Sequence, residues 1–284
     1  TLAPAPTVAP APASTATPRP TPKPDVIAQV TPAASGEKPR SGGVLATMNA
    51  IDLAHLDPHQ QTTALSLQPL APFYSLLVQP EPRDPNKIIP DLAERWDISP
   101  DGKVYTFHLR KGVKFHDGTP LTAADVVETW LRMVTVRKGL QSPRAALFVN
   151  VDKVEAPDDS TVRITLKAPQ GSFMLMAAIP WGIIYPKAYL DKYGDMKKYV
   201  MGSGPFKLVE YVRGVSITAV RNPDYFVKAL PYLEGINRYI IRDEGAKSAA
   251  FRSGQIELMA GLQHNISPEE RTVIMKERPG VQIQ

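Results

Sequence analysis

The stretch YTFHLRKGVKFHDGTPLTAADVV, residues 105–127, changes its hydrophobic period partway along. Tyr105, Phe107 and Leu109 alternate with Thr106 and His108, the pattern of a strand with one buried face. HDGTP (116–120) is a turn: the Asp117 side chain bonds its own backbone, and Gly118 accepts positive φ. Thr122 and Asp125 have the spacing of a capping box. Val126, Val127, Trp130 and Val134 then recur at helical spacing, which predicts a helix over AADVVETWLRMVTV (123–136) with a core-facing stripe.

The same stretch carries His108, His116, Asp117, Arg110, Lys111 and Lys114. An acid–base pair needs mutual reach within a cleft. Nothing nearby supplies a nucleophile or a third group. The histidines and Asp117 therefore read as structural, and the basic residues as a solvated face.

Outward from this stretch, RWDI pairs with VYTFHLR through SPDGK, with Asp101-Gly102 as the turn. GGVLATMNA (42–50) reads as a strand and IDLAHLDPHQQ (51–61) as a polar loop. TTALSLQPLAPFYSLLV (62–78) reads as a helix bent or broken at Pro69 and Pro72. QPEPRDPNKIIP (79–90) reads as a proline-punctuated loop. Downstream, VDKVEAPDDSTVRITLKAP is a hairpin, YPKAYLDKYG a short helix and FKLVEYVRGVSITAVRN a long hairpin. INRYIIR is a strand, DEGAKSAAFRSG a helix ended by Gly254, and IELMA a strand. SPEERTVIMKE is a helix capped by Ser267 with Pro268 at its first position, and VQIQ begins a further strand. Strands alternating with helices in this last part suggest an α/β layer. There is no internal repeat and no heptad pattern.

The first forty residues are different. Proline, alanine and threonine dominate them, and no aromatic residue occurs before Tyr74 except Phe73. Such a segment buries too little apolar surface to offset its ordering entropy and acts as a stiff spacer. Net charge is +5, with 33 basic and 28 acidic residues. The charges are scattered, so no nucleic-acid partner is expected. The sequence contains no cysteine, which excludes disulfides, thiolate nucleophiles and cysteine-ligated metals. FMLMAAIPWGIIY (173–185) is too short to span a bilayer and is interrupted by Pro180 and Gly182.

Other residues with possible chemistry are few. His55 and His59 are four apart, but Pro58 between them makes LDPH a turn rather than a metal-binding helix face. No metal or cofactor is expected. GSGPF (202–206) lacks both the spacing of a nucleophile elbow and a following Gly-Lys-Ser/Thr. It reads as backbone in close approach to something, a ligand included, which makes Ser203 and Gly204 candidates. Trp130 reads as core, while Trp181, in an apolar turn, is a candidate stacking residue. Arg144 in QSPRAAL is solvated or holds a carboxylate bidentately.

Taken in order, LDPHQQ, IIPDLAERWDISPDGKVYTFHLRKGVKFHDGTPLTAADVVETWLRM, VEAPDDSTVRITLKAP, GSGPFKLVEYV, RNPDYF and AAFRSGQIELM resemble the family 5 extracellular solute-binding proteins of ABC transporters. These are the oligopeptide-, dipeptide- and nickel-binding type. The resemblance runs from about Gly42 to Gln284. It implies an α/β fold of the periplasmic-binding-protein kind (type II, cluster C), in which two lobes close over a solute without chemistry. This sequence would hold the first lobe (42–80 and 181–284), a β-rich accessory subdomain (81–180) and a spacer (1–41). The second lobe would be absent. The opening stretch would then be a frame beside the lobe.

The resemblance also implies site residues. In peptide-binding relatives the residues just after LDPH line the cleft; here they are Thr62, Thr63 and Ala64. A tyrosine following a Ser-Pro pair reaches the peptide in those relatives. The matching residue here is Arg144, after Ser142-Pro143, which implies an acidic group on the ligand. GSGPF would approach the cleft as well. The implied partners are a small solute, most simply a peptide, and an ABC permease, with the binding protein a monomer. The implied location is extracytoplasmic, with a lipid anchor on a cysteine upstream of Thr1. Two other readings of the residues stand beside this one: a surface-anchored sensing or adhesion protein reusing the fold, and a hydrolase built on Ser203 or the His116–Asp117 pair.

Overall fold

Prolines shape the first part of the chain, because each lacks an N–H and fixes φ. The computed structural model describes residues 39–135, 142–259 and 267–281. The expected spacer over 1–41 falls almost wholly outside these residues, as does the strand expected from Val281 onward. Strand β1 (Val44–Asn49) leads into a 3-10 turn over Pro58–Gln60. Helix α1 is only Ala64–Leu67, and a second 3-10 turn, Ala71–Phe73, follows Pro69. Pro69 and Pro72 thus break the helical spacing of 62–78 into single turns.

The proline-rich stretch expected as a loop is instead a hairpin, β2 (Val78–Glu81) and β3 (Asp84–Pro90). A two-stranded ribbon has unpaired edges, which is where proline is tolerated. The register also shifts between Pro80 and Glu81.

The opening stretch folds as its periodicities require. β4 (Ala93–Ile98) and β5 (Val104–Leu109) pair antiparallel, and Gly102 turns between them at φ 69°. Tyr105, Phe107 and Leu109 are buried. Helix α2 (Ala123–Val134) follows, with Asp125 Oδ2 accepting from the Thr122 N–H at 2.8 Å. β6 (Val151–Asp158) and β7 (Thr161–Leu166) complete an antiparallel sheet in the order β4-β5-β7-β6. Val126, Trp130, Phe148 and Phe173 fill the core against this sheet. Trp130 packs edge-on to Phe148, with ring centroids 5.5 Å apart.

Short helices α3 (Phe173–Ala177) and α4 (Lys187–Tyr193) lead back to the other layer. There β8 (Phe206–Val212), β9 (Ser216–Arg221) and β10 (Gly235–Ile240) form a mixed sheet with β1. Its order is β1-β10-β9-β8, with β1 parallel to β10 and the other pairs antiparallel. Helix α5 (Glu244–Arg252) follows β10, and α6 (Pro268–Glu277) starts at the Ser267 cap. The strand expected over IELMA is reduced to a single parallel bridge between Leu258 and Thr47.

Three apolar clusters result. The first is built from residues between Leu77 and Ala178, plus Ile184. A second, with Leu53, Phe73, Tyr185 and Ile217 among its members, lies under the mixed sheet. A small third cluster, Met48, Ala250, Phe251, Ile256 and Ile274, packs α5 and α6 onto β1.

Candidate functional site

The segment 51–61 was expected as a polar loop, yet Asp57, His59, Gln60 and Gln61 are all buried. Burial of a carboxylate is tolerated only when it is fully paired, and Asp57 is. It accepts from Arg132 Nη2 at 2.6 Å and Nη1 at 3.3 Å. It also accepts from Tyr185 Oη (2.9 Å), Gln60 Nε2 (2.9 Å), the His59 N–H (3.1 Å) and the Met196 N–H (3.2 Å). Burial alone would raise the Asp57 pKa. The Arg132 hydrogen bonds and charge outweigh it and hold the carboxyl well below its usual range. His59 is pulled down to about 3 by burial and then by the Arg132 charge; its Nε2 lies 3.0 Å from the Ile183 carbonyl.

Arg132 comes from α2, so this pair joins the helix packed on the β4-β5-β7-β6 sheet to the LDPH turn. Two other polar residues on α2 do similar work. Thr129 Oγ1 accepts from the Tyr185 N–H at 3.0 Å, and Asp125 Oδ1 accepts from the Lys187 N–H at 2.8 Å. Asp125, Thr129 and Arg132 are spaced i, i+4, i+7, which places them on one face. Reading the sequence for apolar spacing alone misses them; a polar stripe of the same period beside the apolar one was the available signal.

The network holds a rim above it. After the 3-10 turn, Gln61 and Thr63 have extended backbone (φ −98°, ψ 150° and φ −104°, ψ 144°). Thr62 and Thr63 are exposed and Ala64 half-buried. Neither the main chain nor the hydroxyl of Thr62 has a hydrogen-bond partner among the described residues. Arg144 reaches this segment from the 3-10 turn Ala145–Phe148. Ser142 Oγ, bonded to the Met133 carbonyl at 2.6 Å, ties that turn to the end of α2. Arg144 Nη2 donates to the Gln61 carbonyl at 2.7 Å and Nη1 to the His59 carbonyl at 3.4 Å. Its guanidinium lies 4.2 Å from the Trp181 ring centroid. Thr62, Thr63, Ala64, Arg144 and Trp181, far apart in sequence, are thus brought to one rim.

Ser203 and Gly204 are placed differently. Ser203 is 1% exposed. A Cβ on Gly204 would lie 2.4 Å from both Phe73 C and Tyr74 N, and one on Gly202 would lie 2.2 Å from the Phe73 carbonyl oxygen. What the glycines approach closely is the chain itself, at 72–74. The turn of the opening stretch docks on the same loop. The His116 N–H donates to the Gly202 carbonyl at 2.9 Å, and His116 Nε2 lies 3.2 Å from the Gly204 carbonyl. Lys207 Nζ donates to the His116 carbonyl at 2.9 Å. Asp117 accepts from the N–H and hydroxyl of Thr119. These side chains close a seam between the two sheets.

Among the described residues no group of three or more His, Cys, Asp or Glu is placed to hold a metal ion. Nor is any described helix long and apolar enough to cross a membrane. A small pocket lined by Pro69, Pro72, Phe73, Ile217, Ala219, Ile236 and Arg238 lies under the mixed sheet and includes none of the rim residues.

The described residues thus form a mixed α/β layer with an antiparallel sheet packed beside it. Residues 87–282 match the sequence model of the bacterial extracellular solute-binding proteins, family 5 Middle, and the chain belongs to that family. It is 34% identical over 203 residues to the glutathione-binding protein GsiB of Pectobacterium atrosepticum, covering 71% of this chain and 39% of that protein. Among solved structures, Helicobacter pylori DppA in complex with the peptide STSA is similar, at TM-score 0.73 and 32% identity. That match covers 84% of this chain and 50% of the other. AgaA of A. tumefaciens R10 in complex with agropinic acid matches at TM-score 0.74 and 31% identity, over 84% of this chain and 46% of that one. The chain therefore spans half or less of the length of these relatives.

Proposed function

We propose that this chain is part of the solute-binding component of an ABC importer. It contributes one wall of a cleft that takes a peptide or related small solute for delivery to a membrane permease. The observation that carries this reading is the rim: Thr62 and Thr63 are exposed beside the buried Gln61, the backbone is extended at Gln61 and Thr63, and the Thr62 amide and carbonyl have no partner among the described residues. An extended backbone with free hydrogen-bonding groups is suited to pairing with a peptide main chain, giving affinity with broad side-chain tolerance. Names of the relatives support the solute class, since they bind glutathione, a short peptide and agropinic acid. Family membership supports an extracytoplasmic site of action. Thr62, Thr63, Ala64, Arg144 and Trp181 are the proposed contacts. Ser203 and Gly204 are better suited to supporting the seam behind them.

The test is titration calorimetry on the full-length protein with pools of di- to pentapeptides, sugars and metal chelates. Saturable binding of a peptide pool, weakened by Thr62→Pro, is the expected result. Failure to bind any pool would defeat the reading.

A further inference from the structure

A buried cation needs a compensating charge, and Arg144 is 9% exposed. Its partners in the protein are the His59 and Gln61 carbonyls and the Trp181 ring face. Dipoles and a π face are partial compensation, not an anion. Asp57, the carboxylate closest to these carbonyls along the chain, is committed to Arg132, Tyr185 and Gln60. No carboxylate among the described residues pairs with Arg144. Burial lowers its pKa to about 10, against an opposing effect of Tyr185, so it stays protonated at neutral pH. A guanidinium has five N–H groups; with two given to carbonyls, three remain.

Two further observations point to the same place. The Trp181 indole N–H is buried with no hydrogen-bond partner among the described residues. Beside Gln61 stand the exposed Thr62 and Thr63.

We propose that Arg144 is the charge anchor of this rim and takes a carboxylate of the solute, with Trp181 holding the guanidinium plane and the Thr62 side supplying neutral hydrogen bonds. The inference rests on the solute-binding reading and specifies its ligand class. Arginine's planar fork matches a carboxylate bidentately. An ammonium group at this position would meet a like charge with no anion to offset it.

The test uses the full-length protein and two probes, a pool of tri- to pentapeptides with free C-termini and the same pool amidated. The wild type should bind the free-acid pool at least about tenfold more tightly. Arg144→Gln should bring the two pools to equal, weak affinity, and Arg144→Lys should restore part of the preference. Thermal unfolding of each variant separates lost binding from lost folding. The wild-type comparison needs no variant, so it stands even if Arg144→Gln does not fold. Equal wild-type affinity for both pools, or a preference unchanged in a folded Arg144→Gln, overturns this inference and leaves the solute-binding reading intact. Binding of neither pool overturns the peptide reading and the inference together.

Discussion

Arg132 on α2 and Asp57 in the LDPH turn form a buried two-pronged ion pair, with Nη2 2.6 Å from Oδ2 and Nη1 3.3 Å from Oδ1. The pair sits beneath the rim and links the part of the chain that presents Thr62 to the part that presents Arg144. It is therefore a positioning device as well as a contact.

Removing one partner of that pair strands the other in the interior. Asp57→Asn or Arg132→Met should each cost roughly 3–5 kcal/mol of stability. In a double-mutant cycle the combined loss should fall well short of the sum, because both changes break the same interaction. Urea unfolding followed by circular dichroism measures it; additive losses would mean the pair is not coupled.

The GSGPF loop gives a steric prediction. Gly204→Ala puts a methyl 2.4 Å from backbone atoms of Phe73 and Tyr74, and backbone yields less readily than a flexible side chain. A loss at or above the upper end of the ~1–3 kcal/mol usual for overpacking is expected. Gly171→Ala is the control, since a Cβ there meets nothing within 4 Å. Similar melting temperatures for the two variants would contradict the packing described.

Asp91 supplies a pH dependence. It is buried, and its Oδ2 accepts from the Leu76 N–H at 2.7 Å. Burial raises its pKa to about 7, against smaller opposing effects of that hydrogen bond and the Arg110 charge. A carboxyl raised above its unfolded value of about 3.9 binds its proton more tightly when folded. Its contribution to stability is full below about pH 4 and is lost as pH rises to about 7. Asp57 and His59 act oppositely: both are lowered, so their contributions are lost as pH falls. The informative quantity is thus the difference between Asp91→Asn and wild type. The variant should gain relative stability between pH 4 and 7, by at most about 1.4 kcal/mol per pH unit. A flat difference would show that Asp91 ionises normally.

Asp125 has two jobs where Thr122 has one. Thr122→Ala removes the hydroxyl that donates to Asp125 at 3.1 Å, a cap loss of about 1 kcal/mol. Asp125→Ala also frees the Lys187 N–H and should cost clearly more. Paired chemical-denaturation curves decide it; equal losses would mean that the tie to α4 contributes nothing.

Several local elements, and the likeness to the family, were legible from short-range patterns. The alternation of Tyr105, Phe107 and Leu109, the Thr122–Asp125 spacing and the Gly102 and Gly118 turns are short-range signals, and each survives in the fold because nothing tertiary competes with it. Tertiary structure alone decided the rest. Prolines at 80, 85 and 90 suggested a loop, but an edge ribbon accommodates them. A segment rich in Asp, His and Gln looked solvated, but six donors to Asp57 make its burial tolerable. Glycines at 202 and 204 signalled close approach without saying to what, and only packing shows that the neighbour is Phe73–Tyr74. Arg144 and Thr62 are eighty-two residues apart (144 minus 62), and no local pattern places one beside the other. Their meeting is fixed by a buried ion pair and an apolar core, long-range contacts that exist only once the chain has folded.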